Sequence, residues 1–346
     1  MSAYFVYRYD VTMKVAVIGI GYWGPNVLRN FVSLLGVDSV IACDSNVSRL
    51  EWAVSQYPGI EVLQDSEQVF SRSDIRVVAV CTPLDSHFSL VKKALLAKKH
   101  VFVEKPLVNT CEQCDELSAL AKQNDCIVMV DHPQLYSPGF EAFADSFKKE
   151  TLGNLLYMDI RRSNLGRIQP DCNVIWDLAV HDMALLYSLL PLSAQSLSVS
   201  SQHCLSFKNI KPFAQRASVN ILFEKNVSVS MHFNWLSPIK ERVMLLAGDK
   251  KMLYWNELDS VAPIKCFDSS VSQNEKGELL YHQGAINTPT LENHEPLKKQ
   301  LQVFLQAVSS GVEPVNSFVL GRKVTQFLQA CDRSIDQNGK TIALDF

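Results

Sequence analysis

Two separated segments carry side chains able to move a proton beside a bound ligand. Lys105 stands in Glu104-Lys105-Pro106, directly after the apolar run His100-Val101-Phe102-Val103. Asp177 and His181 lie four residues apart in Trp176-Asp177-Leu178-Ala179-Val180-His181-Asp182, a spacing that puts both on one face of a helix. An imidazole titrates near neutrality and can take a proton from a carbinol oxygen or return it. A lysine at a strand end can polarise that oxygen or, when desolvated, act as the base itself. Each residue alone has a plainer reading, as a solvated loop lysine or a histidine satisfied on a helix face, so the elements that position them decide.

The strongest positional signal is Val15-Ala16-Val17-Ile18-Gly19-Ile20-Gly21-Tyr22-Trp23-Gly24, followed by the helical pattern PNVLRNFVSLL. Gly19, Gly21 and Gly24 complete G-x-G-x-x-G between strand and helix. The first glycine permits a tight turn, the second lets backbone approach a pyrophosphate, and the third lets helix pack closely on strand. The helix N-terminus then faces the phosphates, with Tyr22 and Trp23 in the same loop. Asp44 ends the next apolar run, where a carboxylate accepts hydrogen bonds from the adenosine ribose and repels a 2′-phosphate. NAD is therefore expected over NADP, although Arg49 nearby leaves dual use open.

The runs KVAVIG, SVIACD, RVVAVC, HVFVE and CIVMVD alternate with helical segments as far as Asp131, the pattern of a parallel, doubly wound Rossmann sheet. Ligands of such sheets bind at the carboxyl ends of the strands, which assigns Thr82, Pro83, His87, Glu104 and Lys105 to the cofactor. Beyond His132-Pro133 the chain changes character. LLYMDIRRS, SLSVSSQHCL, RASVNILF, NVSVSMHFNW, ERVMLLAG and KMLYWN alternate with period two, as in a large, open, mainly antiparallel sheet. Helices are expected near 139–150, 176–190, 297–309 and 321–336. The domains expected are an N-terminal extension over 1–12, an NAD-binding Rossmann domain over 13–133, and a substrate-binding and oligomerisation α/β domain over 134–346. An open sheet needs covering, so a homodimer or homotetramer is expected. Trp235, Trp255, Phe213 and Phe233 read as core or subunit interface.

With 346 residues the chain exceeds the size of a single core, which favours two domains. A net charge of -3 offers no field for nucleic acid. No apolar run reaches the roughly 18–20 residues of a membrane span, and the first twelve residues lack a signal-peptide core, so a cytoplasmic protein is expected. The nine cysteines are odd in number and scattered, which suits reduced thiols. Cys111 and Cys114 have CxxC spacing without a second pair or His pair, so no metal site is assigned.

Taken in order, the glycine fingerprint, Thr82-Pro83-x-x-x-His87, Glu104-Lys105-Pro106 and Asp177-x-x-x-His181 resemble the Gfo/Idh/MocA oxidoreductases over nearly the whole chain from Met13. Gly-Tyr-Trp-Gly-Pro-Asn and the segment from Asp171 to Asp177 look most like a bacterial branch that oxidises sugar nucleotides, typified by UDP-N-acetylglucosamine 3-dehydrogenases. The resemblance implies that Lys105 and His181 flank the reacting hydroxyl or ketone, with Asp177 beside them. Hydride transfer to nicotinamide leaves a proton on oxygen, which fits a base and a positive donor there. His181 is the first choice for the proton acceptor, and the two roles can be exchanged. The resemblance places substrate on the C-terminal sheet. The arginines of Arg161-Arg162-Ser163-Asn164-Leu165-Gly166-Arg167 are candidates to hold a diphosphate or carboxylate, Arg161 and Asn164 are candidate substrate residues, and Asn173 is the candidate for a sugar hydroxyl. Two other functions compete: a cyclitol or other small-carbonyl oxidoreductase, and a non-catalytic NAD(H)-binding regulator.

Overall fold

The computed structural model describes residues 13–149, 152–166, 168–170, 172–206, 208 and 212–344. The expected extension over 1–12 and the residues Arg167 and Asp171 lie outside the described residues. In chain order the first elements are β1 (Lys14–Ile18), α1 (Gly24–Leu35), β2 (Val40–Cys43), α2 (Val47–Gln56), β3 (Glu61–Leu63) and α3 (Ser66–Ser71). There follow β4 (Ile75–Val80), α4 (Leu84–Leu96), β5 (His100–Val103), α5 (Cys111–Gln123) and β6 (Val128–Val130). The chain continues through α6 (Pro138–Lys149), β7 (Leu155–Leu165), a wider π-type turn over Ile175–Ala179 and α7 (Val180–Leu189). Then come β8 (Ala194–Gln202), β9 (Arg216–Phe223), β10 (Ser228–Asn234), β11 (Leu236–Gly248), β12 (Met252–Asn256), β13 (Ile264–Gln273) and β14 (Leu279–Asn287). The last elements are α8 (Pro296–Ser310), α9 (Phe318–Asp336) and β15 (Ile342–Ala343).

The chain divides into two compact units. One takes the residues up to Tyr136 together with His294–Thr325; the other takes Ser137–Asn293 and the residues from Gln326 onward. In the first, a parallel sheet runs in the order β3-β2-β1-β4-β5-β6, the doubly wound arrangement the alternating runs imply. Alternate residues of β1 feed the two faces: Val15 and Val17 pack in one core with Phe31 and Phe102, Ala16 and Ile18 in the other with Val78, Leu95 and Leu117. Leu301, Phe304 and Leu305 of α8 complete the first of these cores. Each buried side chain of that size contributes about 1.5–3 kcal/mol. That burial corrects the boundary read from sequence, which assigned everything after 133 to the second domain.

The second unit is built on a nine-stranded sheet ordered β14-β13-β12-β11-β7-β10-β9-β8-β15. Its strand pairs are antiparallel except β7 with β10. Along β7, Met158, Ile160 and Arg162 are buried, and Arg162 reaches α7; the alternate residues Asp159 and Arg161 therefore face the opposite side. Trp255 packs on Phe140 and Phe143 of α6, with ring centroids 5.9 Å away in both cases. A Cβ at Gly139 would stand 2.8 Å from the Trp255 indole nitrogen, so a glycine lets α6 lie flat on the ring. Four strands escape the sequence patterns: β3 and β15 are only three and two residues long, and β13 and β14 form a largely exposed hairpin whose polar residues mask its alternation.

Candidate active site

In the first unit, the turn from β1 to α1 shows why its glycines are glycines. Gly19 has φ +95°, and a Cβ there would come within 2.7 Å of the Cys81 carbonyl oxygen. At Gly24 a Cβ would lie 1.9 Å from the Gly19 oxygen, whereas at Gly21 it would meet nothing within 4 Å. Two glycines thus serve close backbone packing, and the third leaves open space above the loop. No side chain caps the N-terminus of α1 and its first turn holds no acidic residue, so donors and dipole suit a pyrophosphate there. Tyr22 is 86% exposed and serves no core. Trp23 instead turns inward, its Nε1 donating to Asp131 Oδ2 at 2.7 Å.

Asp44 has a task the sequence did not disclose. Its Oδ2 accepts from Ile20 N at 2.7 Å and its Oδ1 from Asn46 N at 2.8 Å, which pins the glycine loop to the end of β2. Each oxygen keeps a lone pair, so the carboxylate can still accept from ribose hydroxyls. Space at Gly21, the α1 terminus and Asp44 together fit a dinucleotide.

His87, expected at the cofactor, is a buried side chain. It is 1% exposed, with Nδ1 3.0 Å from Pro106 O and Nε2 2.8 Å from Thr82 O. It therefore ties the loop after β4 to the loop after β5, inside the protein. Burial lowers its pKa, so the neutral ring donates to one carbonyl at a time. Thr82 Oγ1 and Ser86 Oγ lie 2.6 Å apart, and Ser86 Oγ donates to Pro83 O at 2.7 Å, ordering the same turn. Glu104 also points inward: its Oε1 is sealed from solvent, and its Oε2 accepts from Lys105 N at 3.1 Å. Lys105 itself is partly exposed at the end of β5. Sequence reasoning passed over Asp131 and His132 at the end of β6, both 1% exposed. The His132 pKa is pushed down to about 3 by burial and by the charge of Lys105.

In the second unit, Asp177 falls in the π-type turn Ile175–Ala179 and His181 in the first turn of α7. Asp177 Oδ2 accepts from the Trp235 indole at 3.0 Å, which orients the carboxylate. Trp235 is 1% exposed, a core residue as expected, yet one with a direct hold on the site. Asn173 is committed elsewhere. Its Oδ1 caps the turn by accepting from Ile175 N and Trp176 N at 2.9 and 3.1 Å, while its Nδ2 donates to Asp332 at 3.0 Å. Trp176 donates to the same Asp332 at 2.7 Å, so Asn173 and Asp332 hold the turn that presents Asp177.

The structure does not bring Arg161 to that turn. Arg161 faces the other side of the sheet, among Asp159, Ser218, Asn220, His232 and Glu241. Its neighbour Arg162 is the guanidinium on the α7 side, bonded through Nε and Nη2 to Asp182 at 2.7 and 2.8 Å, with the charge of Asp177 also acting on it. The period of two in β7 separates the arginines, and only the phase of the strand could have distinguished them. Asn164 shares the parity of Arg162.

The first unit thus has a Rossmann sheet with Lys105 at one strand end, and the second an open sheet with Asp177 and His181 on successive helical turns. The family model "Oxidoreductase family, NAD-binding Rossmann fold" matches residues 13–132, so over this domain the chain is similar to the Gfo/Idh/MocA oxidoreductases. An inositol 2-dehydrogenase of Salmonella typhimurium is 26% identical over 187 residues, covering 52% of this chain and 55% of that protein, so the match spans about half its length. The UDP-N-acetylglucosamine 3-dehydrogenase of Acidithiobacillus ferrooxidans is 20% identical over 332 residues, covering 91% of this chain and 94% of that protein. Its solved structure shares the fold, with a TM-score of 0.80 over 94% of this chain and 98% of that one at 16% identity. The structure of GenD2 from gentamicin A biosynthesis in complex with NAD also has a TM-score of 0.80, over 96% of this chain and 97% of that one at 16% identity. Among the described residues no helix is long and apolar enough to cross a membrane.

Proposed function

We propose that the protein is an NAD-dependent dehydrogenase or reductase acting on a ring hydroxyl or ketone of a sugar or sugar nucleotide. The observation that carries this reading is the glycine cradle with Asp44 at its side, joined in one chain to Lys105 and the Asp177/His181 pair. NAD supplies a hydride acceptor. His181 takes the proton from the substrate oxygen in oxidation and returns it in reduction, Lys105 stabilises the negative charge on that oxygen, and Asp177, held by Trp235, orients the imidazole or binds a neighbouring hydroxyl. The carboxylate of Asp44 favours NAD over NADP by repelling a 2′-phosphate.

A sugar-nucleotide substrate is supported by the relative aligned along nine-tenths of both chains. The second reading, a cyclitol substrate, is supported by the inositol dehydrogenase, though over half the chain. Initial rates of NADH formation with UDP-N-acetylglucosamine, its uronic acid, myo-inositol and free hexoses separate them. Turnover with a UDP-sugar supports the first reading and turnover with myo-inositol alone the second. No reduction of NAD, and no oxidation of NADH with the corresponding ketones, would leave a nucleotide-binding regulator.

The sheet of the second unit supports a homodimer or homotetramer. Leu245, Met252, Tyr254 and Phe267 line a shallow apolar depression on the side turned away from α7, beside the polar cluster that holds Arg161. A second copy laid on this side would cover it. Light scattering at micromolar concentration is expected to give an oligomer, and a monomer would contradict this. The buried thiols Cys43, Cys81, Cys114, Cys126 and Cys331 support a reducing, cytoplasmic setting.

A further inference from the structure

We propose that Glu104 and Asp131 form a one-proton carboxyl dyad that positions Lys105, with the single negative charge of the pair lying beside the lysine ammonium. Its structural part stands independently; its bearing on turnover rests on the dehydrogenase reading. β5 and β6 are parallel neighbours with Val103 opposite Val130, so the next residue of each, Glu104 and Asp131, emerge side by side. Their backbones are fixed, with Glu104 N donating to Val80 O at 2.9 Å and Asp131 N to Val103 O at 2.7 Å. Of the four carboxyl oxygens, Glu104 Oε2 accepts from Lys105 N and Asp131 Oδ2 from the Trp23 indole. The other two, Glu104 Oε1 and Asp131 Oδ1, are sealed from solvent and have no N–H or O–H bonded to them.

Two ionised carboxylates here would repel each other and leave two buried acceptors bare. One proton between those oxygens satisfies both. Burial raises both carboxyls, Glu104 well above the usual carboxylate range, while the Trp23 indole and the Gln300 amide favour the ionised form of Asp131; we therefore place the proton on Glu104, donated to Asp131. The other neighbours supply no countercharge: the Cys81 thiol is pushed up by burial and by both carboxyls, His132 is neutral, and Gln300 is an amide. Lys105 is the cation among these groups, and it acts on both carboxyls. Because Trp23 belongs to the glycine loop, the dyad also ties the nucleotide-binding turn to the strand end that carries the lysine.

Difference infrared spectroscopy of the full-length protein against Glu104→Gln tests the dyad without relying on activity. A protonated carboxylic-acid band at neutral pH, lost in Glu104→Gln and in Asp131→Asn, is expected; its absence from the wild type overturns the proposal. In the NAD-reduction assay, each single amide keeps both the donor and one negative charge and should retain turnover. The double variant Glu104→Gln/Asp131→Asn removes the charge and should lower kcat at least about tenfold. Single amides as damaging as the double variant, in proteins that melt like the wild type, would contradict the positioning role. A protein without turnover but with the infrared band would sink the dehydrogenase reading and leave the dyad standing.

Discussion

Lys105→Met is expected to lower turnover by about 10²–10⁴-fold, the range supplied by a positioned acid–base or polarising group, while NADH binds as it does to the wild type. The separation follows from what each residue does. Gly19, Gly21, Gly24 and Asp44 build the nucleotide cradle and none depends on the Lys105 side chain. The lysine is needed when negative charge grows on the substrate oxygen, and methionine keeps the length of the side chain but offers no charge or donor. Steady-state kcat together with an NADH fluorescence titration measures both. Near-normal turnover would remove Lys105 from the mechanism, and a joint loss of turnover and NADH affinity would make it a cofactor ligand instead.

The second large effect is on stability. Arg162 and Asp182 are 8% and 5% exposed and make a two-pronged ion pair between β7 and α7. Arg162→Met leaves the Asp182 carboxylate buried without its partner, which should destabilise the second unit by about 3–5 kcal/mol. The double variant Arg162→Met/Asp182→Leu removes both charges and should recover most of that loss, since the cost lies in the stranded charge and not in the missing attraction. Urea unfolding of the two variants checks this. A single variant that unfolds at the wild-type midpoint would show that the pair carries no stability.

Much of the first unit is legible in the sequence because a parallel sheet covered on both faces must be written in continuous apolar runs, and because the glycine turn admits few alternatives. The carboxyl ends of those strands follow at once, and with them Lys105. What stays hidden is the direction of each side chain at those ends. Thr82-Pro83-x-x-x-His87 and Glu104-Lys105-Pro106 look like ligand-binding punctuation, yet His87 and Glu104 point inward and hold the loops that present Lys105. In the second unit the difficulty is strand phase. Arg161 and Arg162 are adjacent and chemically equal, and a shift of one residue decides which of them meets the helix carrying Asp182. Asn173 has the composition of a sugar ligand but the geometry of a helix cap, and its partner Asp332 lies 159 residues away. α8 reads correctly as a helix, but its own sequence does not say which sheet its apolar face covers.

The central claim, that this chain uses NAD as its hydride carrier, is tested most directly by fluorescence titration of the purified protein with NADH and NADPH, with Gly21→Val as the control. Gly21 is the glycine whose side-chain position is open, so valine there should leave the fold intact while filling the space of the pyrophosphate. Saturable NADH binding that is tighter than NADPH binding, lost in Gly21→Val and shifted by a sugar nucleotide, is the predicted result. Failure of the wild-type protein to bind either dinucleotide would contradict the account and make the glycine turn a structural feature alone.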